Sequence, residues 1–120
     1  MLPLSPRELS IPWHRGMRLS GLLGAAHSIA KWEDDFGIAA RGVMGMVPPP
    51  MWREAATAVC MWFWLGSDGP VVAERINPWS ANPGHLAKYI SSDLRRANAW
   101  WAEHHNEFAE GLQLAEAEAS

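Results

Sequence analysis

One cysteine in 120 residues rules out an internal disulfide, and Cys60 falls within an apolar stretch where it reads as a small hydrophobe. Tyrosine occurs once and phenylalanine three times, yet there are eight tryptophans: Trp13, Trp32, Trp52, Trp62, Trp64, Trp79, Trp100 and Trp101. No tract of Lys and Arg occurs and the formal net charge is −3, so phosphate-driven binding to nucleic acid has little to work with. The longest apolar run is shorter than the roughly 20 residues that a bilayer span needs. No charged segment followed by an apolar run opens the sequence, which sets a cytoplasmic location as the expectation. No HExxH, no paired cysteines and no Gly-x-Ser-x-Gly elbow is present. Gly42-x-x-Gly45 neither follows a strand nor opens a helix, so it is not a phosphate cradle. No internal repeat is evident. Composition and length together point to one domain over 1–120, with an apolar fraction of 48% that suits a folded core.

The chain is organised around residues 48–66, PPPMWREAATAVCMWFWLG. Three prolines end whatever precedes them, and Pro50 suits a first helical turn. Arg53 to Leu65 contains no Gly or Pro, and Thr57 is the only polar side chain from Ala55 onward. A helix that is apolar all round belongs at the centre of a core. Gly66 is placed to stop it as the C′ residue.

Other elements follow from caps and periodicity. Ser5-Pro6-Arg7-Glu8 is a capping box that starts a first helix, which Pro12 is expected to limit to one or two turns, leaving 1–11 as an N-terminal arm. A second helix is expected from about Pro12 to Asp35, with Gly16, Gly21 and Gly24 allowing a neighbouring helix to come close. The alternative is a break near Gly21–Gly24. Gly37 is its expected stop, and Gly37 to Val47 reads as a loop with at most one helical turn. Ser67-Asp68-Gly69-Pro70 is a turn, Val71 to Ile76 a brief helix or extended piece, and Asn77 to Pro83 a structured connector. Asn82 then caps a long last helix with Pro83 at its first position. Leu86, Ile90, Leu94, Ala97, Trp101, His104, Phe108 and Leu112 form one stripe along it at the helical period. A helix reaching residue 110 would be about 40 Å long, which exceeds the domain's diameter. It therefore ends near Ser91–Ser92 or projects toward a partner. The acidic end, 112–120, is expected to fray. The expected fold is all-α: a bundle of about four helices with a proline-rich connector.

Two clusters could carry chemistry. His104 and Glu107 share a helix face with Glu103 nearby, a spacing that holds metals in some bundles, although further ligands would have to come from other helices. The plainer reading is a solvated face with one half-buried His. Arg95-Arg96 ahead of Trp100-Trp101 could stack on bases, but Asp93, Glu103 and Glu107 lower the local potential. Ordinary surface pairing, with Arg96 toward Glu103 or solvent, explains the same residues. No catalytic residue, cofactor or metal is assigned. Met44, Met46, Met51 and Trp52 bracket the triple proline, either as an adaptable surface or folded over the core.

A helix, a proline-rich break and a helix ending Trp62-Phe63-Trp64-Leu65-Gly66 resembles, over a short part of the chain, phage tail-assembly chaperones. The Ala, Arg, Trp and Pro usage also fits small accessory proteins of phages and high-GC bacteria. No residue role is transferred from either resemblance.

A domain of this size cannot readily bury eight indoles, and exposed Trp is a frequent anchor at interfaces. The leading expectation is thus a non-enzymatic protein that binds another protein as inhibitor, adaptor or assembly factor. Trp52, Trp79, Trp100 and Trp101, flanked by Arg95 and Arg96, are its expected contacts. Self-association through the last helix and a metal site at His104 and Glu107 are the alternatives; nucleic acid and membrane are disfavoured as partners.

Overall fold

The computed structural model describes residues 2–21 and 27–109, and every described element is helical or turn. Among the described residues four α-helices run in chain order: α1 (Pro6–Leu19), α2 (Ile29–Met46), α3 (Trp52–Leu65) and α4 (Pro83–His104). A 3-10 turn at Pro49–Met51 precedes α3, and another at His105–Phe108 follows α4. The all-α bundle is as expected, and its radius of gyration is 13.0 Å.

α3 is the centre. Ala55, Ala56 and every residue from Ala58 to Trp64 are buried, and α1 and α4 both pack closely against it. A helix apolar on all sides needs neighbours on all sides, and this one has them. Gly66 ends α3 as its cap in extended backbone (φ −66°), not in the left-handed form of a C′ glycine.

α1 corrects the expected arm over 1–11. The Ser5 capping box forms as predicted: Ser5 Oγ accepts from the Glu8 N–H at 3.3 Å, and Glu8 Oε1 accepts from the Ser5 N–H at 3.1 Å. The helix then continues through Pro12 to Leu19. An interior proline costs about 3 kcal/mol. The stripe Leu9, Trp13, Gly16, Met17 offsets it, because Leu9 and Trp13 are fully buried and each contributes about 1.5–3 kcal/mol. Gly16 lets α1 lie close on α3: a Cβ there would stand 2.9 Å from Trp64 Cδ1 and 3.3 Å from the Cys60 carbonyl. Arg53 clamps the two helices at their starts, with its Nε 2.6 Å from Glu8 Oε2.

The expected helix from Pro12 to Asp35 is corrected in favour of its alternative. α1 stops at Ser20, and Gly21 takes φ +94°. Ser28 caps a new helix by accepting from the Lys31 N–H. Gly24 lies outside the described residues. Gly37 does not stop α2, and the expected loop from Gly37 to Val47 is helix down to Met46. Glycine costs a helix about 1 kcal/mol each. Phe36, Ala39, Ala40 and Val43 are buried between α1 and α4, which compensates. Gly42 is small for a reason, since a Cβ there would meet Ile90 Cγ2 of α4 at 3.2 Å.

Residues 66–82 are consecutive turns, so Val71 to Ile76 is neither helix nor strand. Asn82 caps α4 as predicted, its Oδ1 accepting from the N–H groups of Gly84 (2.9 Å) and His85 (3.3 Å). α4 passes through Ser91–Ser92 without a break. Its stripe is buried at Leu86, Ile90, Leu94 and Ala97 and at no described residue beyond. The frayed tail expected over 112–120 lies outside the described residues, as does Leu112 of the stripe. Among the described residues no helix is long and apolar enough to cross a membrane.

Candidate functional site

The indoles divide into three groups. Trp13, Trp62 and Trp64 are sealed in the core. Trp13 meets Trp64 edge-on at 4.9 Å, and Phe63 and Phe36 at 5.0 and 6.5 Å. A buried indole N–H wants an acceptor. Trp13 donates to His27 Nδ1 at 3.2 Å and Trp62 to Asp68 Oδ1 at 2.8 Å, whereas the Trp64 N–H is buried with no acceptor. Trp32, Trp52, Trp100 and Trp101 are half-buried, and Trp79 is 70% exposed.

The six expected contact residues therefore do not form one patch. Trp52 is a strut: its Nε1–H donates to the Val47 carbonyl at 2.9 Å and ties the proline turn to the end of α2. Met44 is held in the same way, its sulfur 3.3 Å from the Leu4 N–H. Met46 and Met51 stay exposed. Of the bracketing group, then, two side chains fold inward and two face out. Trp79 stands alone on the connector.

Trp100, Trp101, Arg95 and Arg96 share the last turns of α4. Trp100 rests partly on the core and stacks on His104 at 5.2 Å. Trp101 stacks on Phe108 at 6.3 Å and touches His105 at 6.0 Å. Trp100 also approaches Phe108 at 5.9 Å. These ring contacts all come from the same helix and the turn after it. Arg96 turns toward the turn that follows α3 and its own preceding turn, 3.6 Å from Asp68 and 3.4 Å from Asp93, rather than toward Glu103. Arg95 is exposed.

His104 does meet Glu107, with Nδ1 3.0 Å from Oε1, and its Nε2 lies 3.8 Å from Glu103. Among the described residues no group of three or more His, Cys, Asp or Glu side chains is placed to hold a metal ion. His85 is committed elsewhere, its Nδ1 accepting from the Asn82 N–H in the α4 capping box. Cys60 lies fully buried, and loss of hydration pushes its thiol far above the usual range, away from nucleophilic use.

Two features were missed in the sequence. His27, which is buried, and His14, which is half-buried, form a pair beside Trp13. Burial holds both below the ordinary imidazole value, and the positive charge of His14 depresses His27 further. Their spacing of thirteen along the chain carried no helical signal. Glu74 is the second: it takes φ +60°, the only non-glycine in the left-handed region among the described residues. Compared with protein-family models, curated proteins and solved structures, the chain matches none of them.

Proposed function

We propose that this protein is a non-enzymatic binding protein that engages another protein, as inhibitor, adaptor or assembly factor, through indoles its own core does not use. The observation that carries this reading is the fate of the α4 stripe. Its first half is sealed against α2 and α3, and its second half continues with Trp101, His104 and Phe108, none of them buried. Side chains at helical spacing that the described helices leave partly open are the kind of surface a partner covers. Trp79, the most exposed of the indoles, supports the same reading from the connector. Trp52 is withdrawn from the contact set, because its indole already serves the fold.

The test compares the tagged full-length chain with Trp101→Ala and Trp79→Ala variants for the proteins that co-purify from cells expressing it, alongside thermal melts. The expected result is loss of the same specific partner in at least one variant, with melting changed by only a few degrees. Retention of every interaction by both variants, and by the pair combined, would overturn the reading. Sedimentation at two concentrations identifies the case in which the partner is a second copy.

A further inference from the structure

Trp79 is exposed because the chain holds it there. Asn77-Pro78-Trp79-Ser80 is a turn with Asn at the first position and Pro at the second, the residues such a turn favours. Asn77 closes it twice: its Oδ1 accepts from the Trp79 N–H at 2.9 Å, and its carbonyl accepts from the Ser80 N–H at 3.0 Å. The indole thus projects from a fixed stretch of main chain, so a partner meets it at a defined place on the connector.

Beside it lies an open depression of about 510 Å³, lined by Val71, Val72, Ile76, Pro78 and Trp79, with Glu74 as its one charged group. Val72 is 50% exposed. Among the described residues Glu74 makes no ion pair or side-chain hydrogen bond. Its neighbour Arg75 is used elsewhere: the guanidinium lies over the Tyr89 ring at 5.5 Å and donates to the Asp68 carbonyl. The left-handed backbone at Glu74 costs about 1 kcal/mol or more for a residue with a side chain. Main-chain bonds around it, from the Glu74 N–H to Val71 and from the Arg75 and Ile76 N–H groups to Pro70, keep that conformation.

Resting on the protein-binding reading above, we infer that this connector face docks a partner segment carrying an exposed Arg or Lys. The cation sits between the Trp79 ring and the Glu74 carboxylate, and its aliphatic stem lies on Val72, Ile76 and Pro78. Three features converge on a cation with a greasy stem. An aromatic face attracts a cation, an unpaired carboxylate pairs with one, and the apolar floor suits methylenes. An acidic segment would meet Glu74 as a like charge, and a purely apolar one would leave the carboxylate to be desolvated without a partner.

The test is an NMR titration of the full chain with N-acetyl-arginine amide and, in parallel, its neutral isostere N-acetyl-citrulline amide. The expected result is a saturable shift of the Trp79 indole and Glu74 amide resonances with the arginine compound, with citrulline at least about fivefold weaker. Glu74→Gln is expected to weaken arginine binding about three- to fivefold. Trp79→Ala is expected to abolish it, with the other indole resonances in place. Equal binding of citrulline, no saturable shift, or shifts centred on Trp101 would overturn the inference. Those outcomes bear on the charge preference of the connector alone; the broader reading stands or falls by the co-purification experiment.

Discussion

The two aromatic clusters of this molecule are built from the same kinds of residue and have opposite fates. Trp13, Phe36, Phe63 and Trp64 draw their ring contacts from α1, α2 and α3 and are sealed. Trp100, Trp101, His104, His105 and Phe108 draw theirs from one helix end and remain half-buried or exposed. The difference is one of supply. An aromatic ring becomes core only when several elements converge on it, and past Ala97 only Trp100 of this cluster still rests partly on the core. Local stacking then organises the rings without removing them from water. Such a cluster adds little to folding and keeps its apolar area for something else.

The sharpest way to break this comparison is to truncate one ring from each cluster. Trp13→Ala removes a fully buried ring and strands the His27 acceptor, and is expected to cost about 3–5 kcal/mol by urea denaturation. Against the 5–15 kcal/mol typical of a domain, that approaches unfolding. Trp101→Ala is expected to cost less than about 1 kcal/mol in the same measurement. Comparable losses for both would erase the distinction.

A second difference is pH. The sealed cluster contains an imidazole that must stay neutral, because His27 Nδ1 accepts the Trp13 N–H. Burial lowers the folded-state pKa of His14 and His27 beneath the unfolded value of about 6.5, so the unfolded chain binds more protons near pH 6. Stability is therefore full above about pH 7 and falls as pH drops through about 6.5 toward the depressed folded values. Urea melts of the wild type and of His27→Gln between pH 5 and 8 check this: the wild type is expected to lose stability toward pH 5, and the variant to lose less.

The smallest expected effect concerns the connector. Glu74→Gly removes a side chain from a left-handed position and is expected to raise stability by about 0.5–1 kcal/mol, read as a modest gain in melting temperature. A loss would mean that the Glu74 side chain stabilises the fold itself.

Local signals were legible where one residue decides a conformation. The Ser5 box, the Asn82 cap with Pro83, and the all-apolar α3 could be read directly, and the α4 stripe showed which residues share a face. What could not be read was the outcome of local costs against distant contacts. Pro12 and the glycines of α2 are poor helix residues, and they are helical because Trp13, Phe36 and Val43 have partners far along the chain. The same limit applies to the site. Excess tryptophan could be counted, but Trp52 and Trp101 are alike in sequence until the Val47 carbonyl is found beside one of them. Glu74 had no signal at all, because left-handed backbone is expected of glycine and not of glutamate.

The most direct test of the account is fluorine NMR of the chain labelled with 5-fluorotryptophan, the eight resonances assigned by single Trp→Phe substitutions, with a soluble paramagnetic agent added. Resonances of Trp13, Trp62 and Trp64 are expected to be untouched and that of Trp79 broadened most, with Trp101 between. Uniform protection of all eight, or strong broadening of Trp13 or Trp64, would contradict the division of indoles on which the binding reading rests.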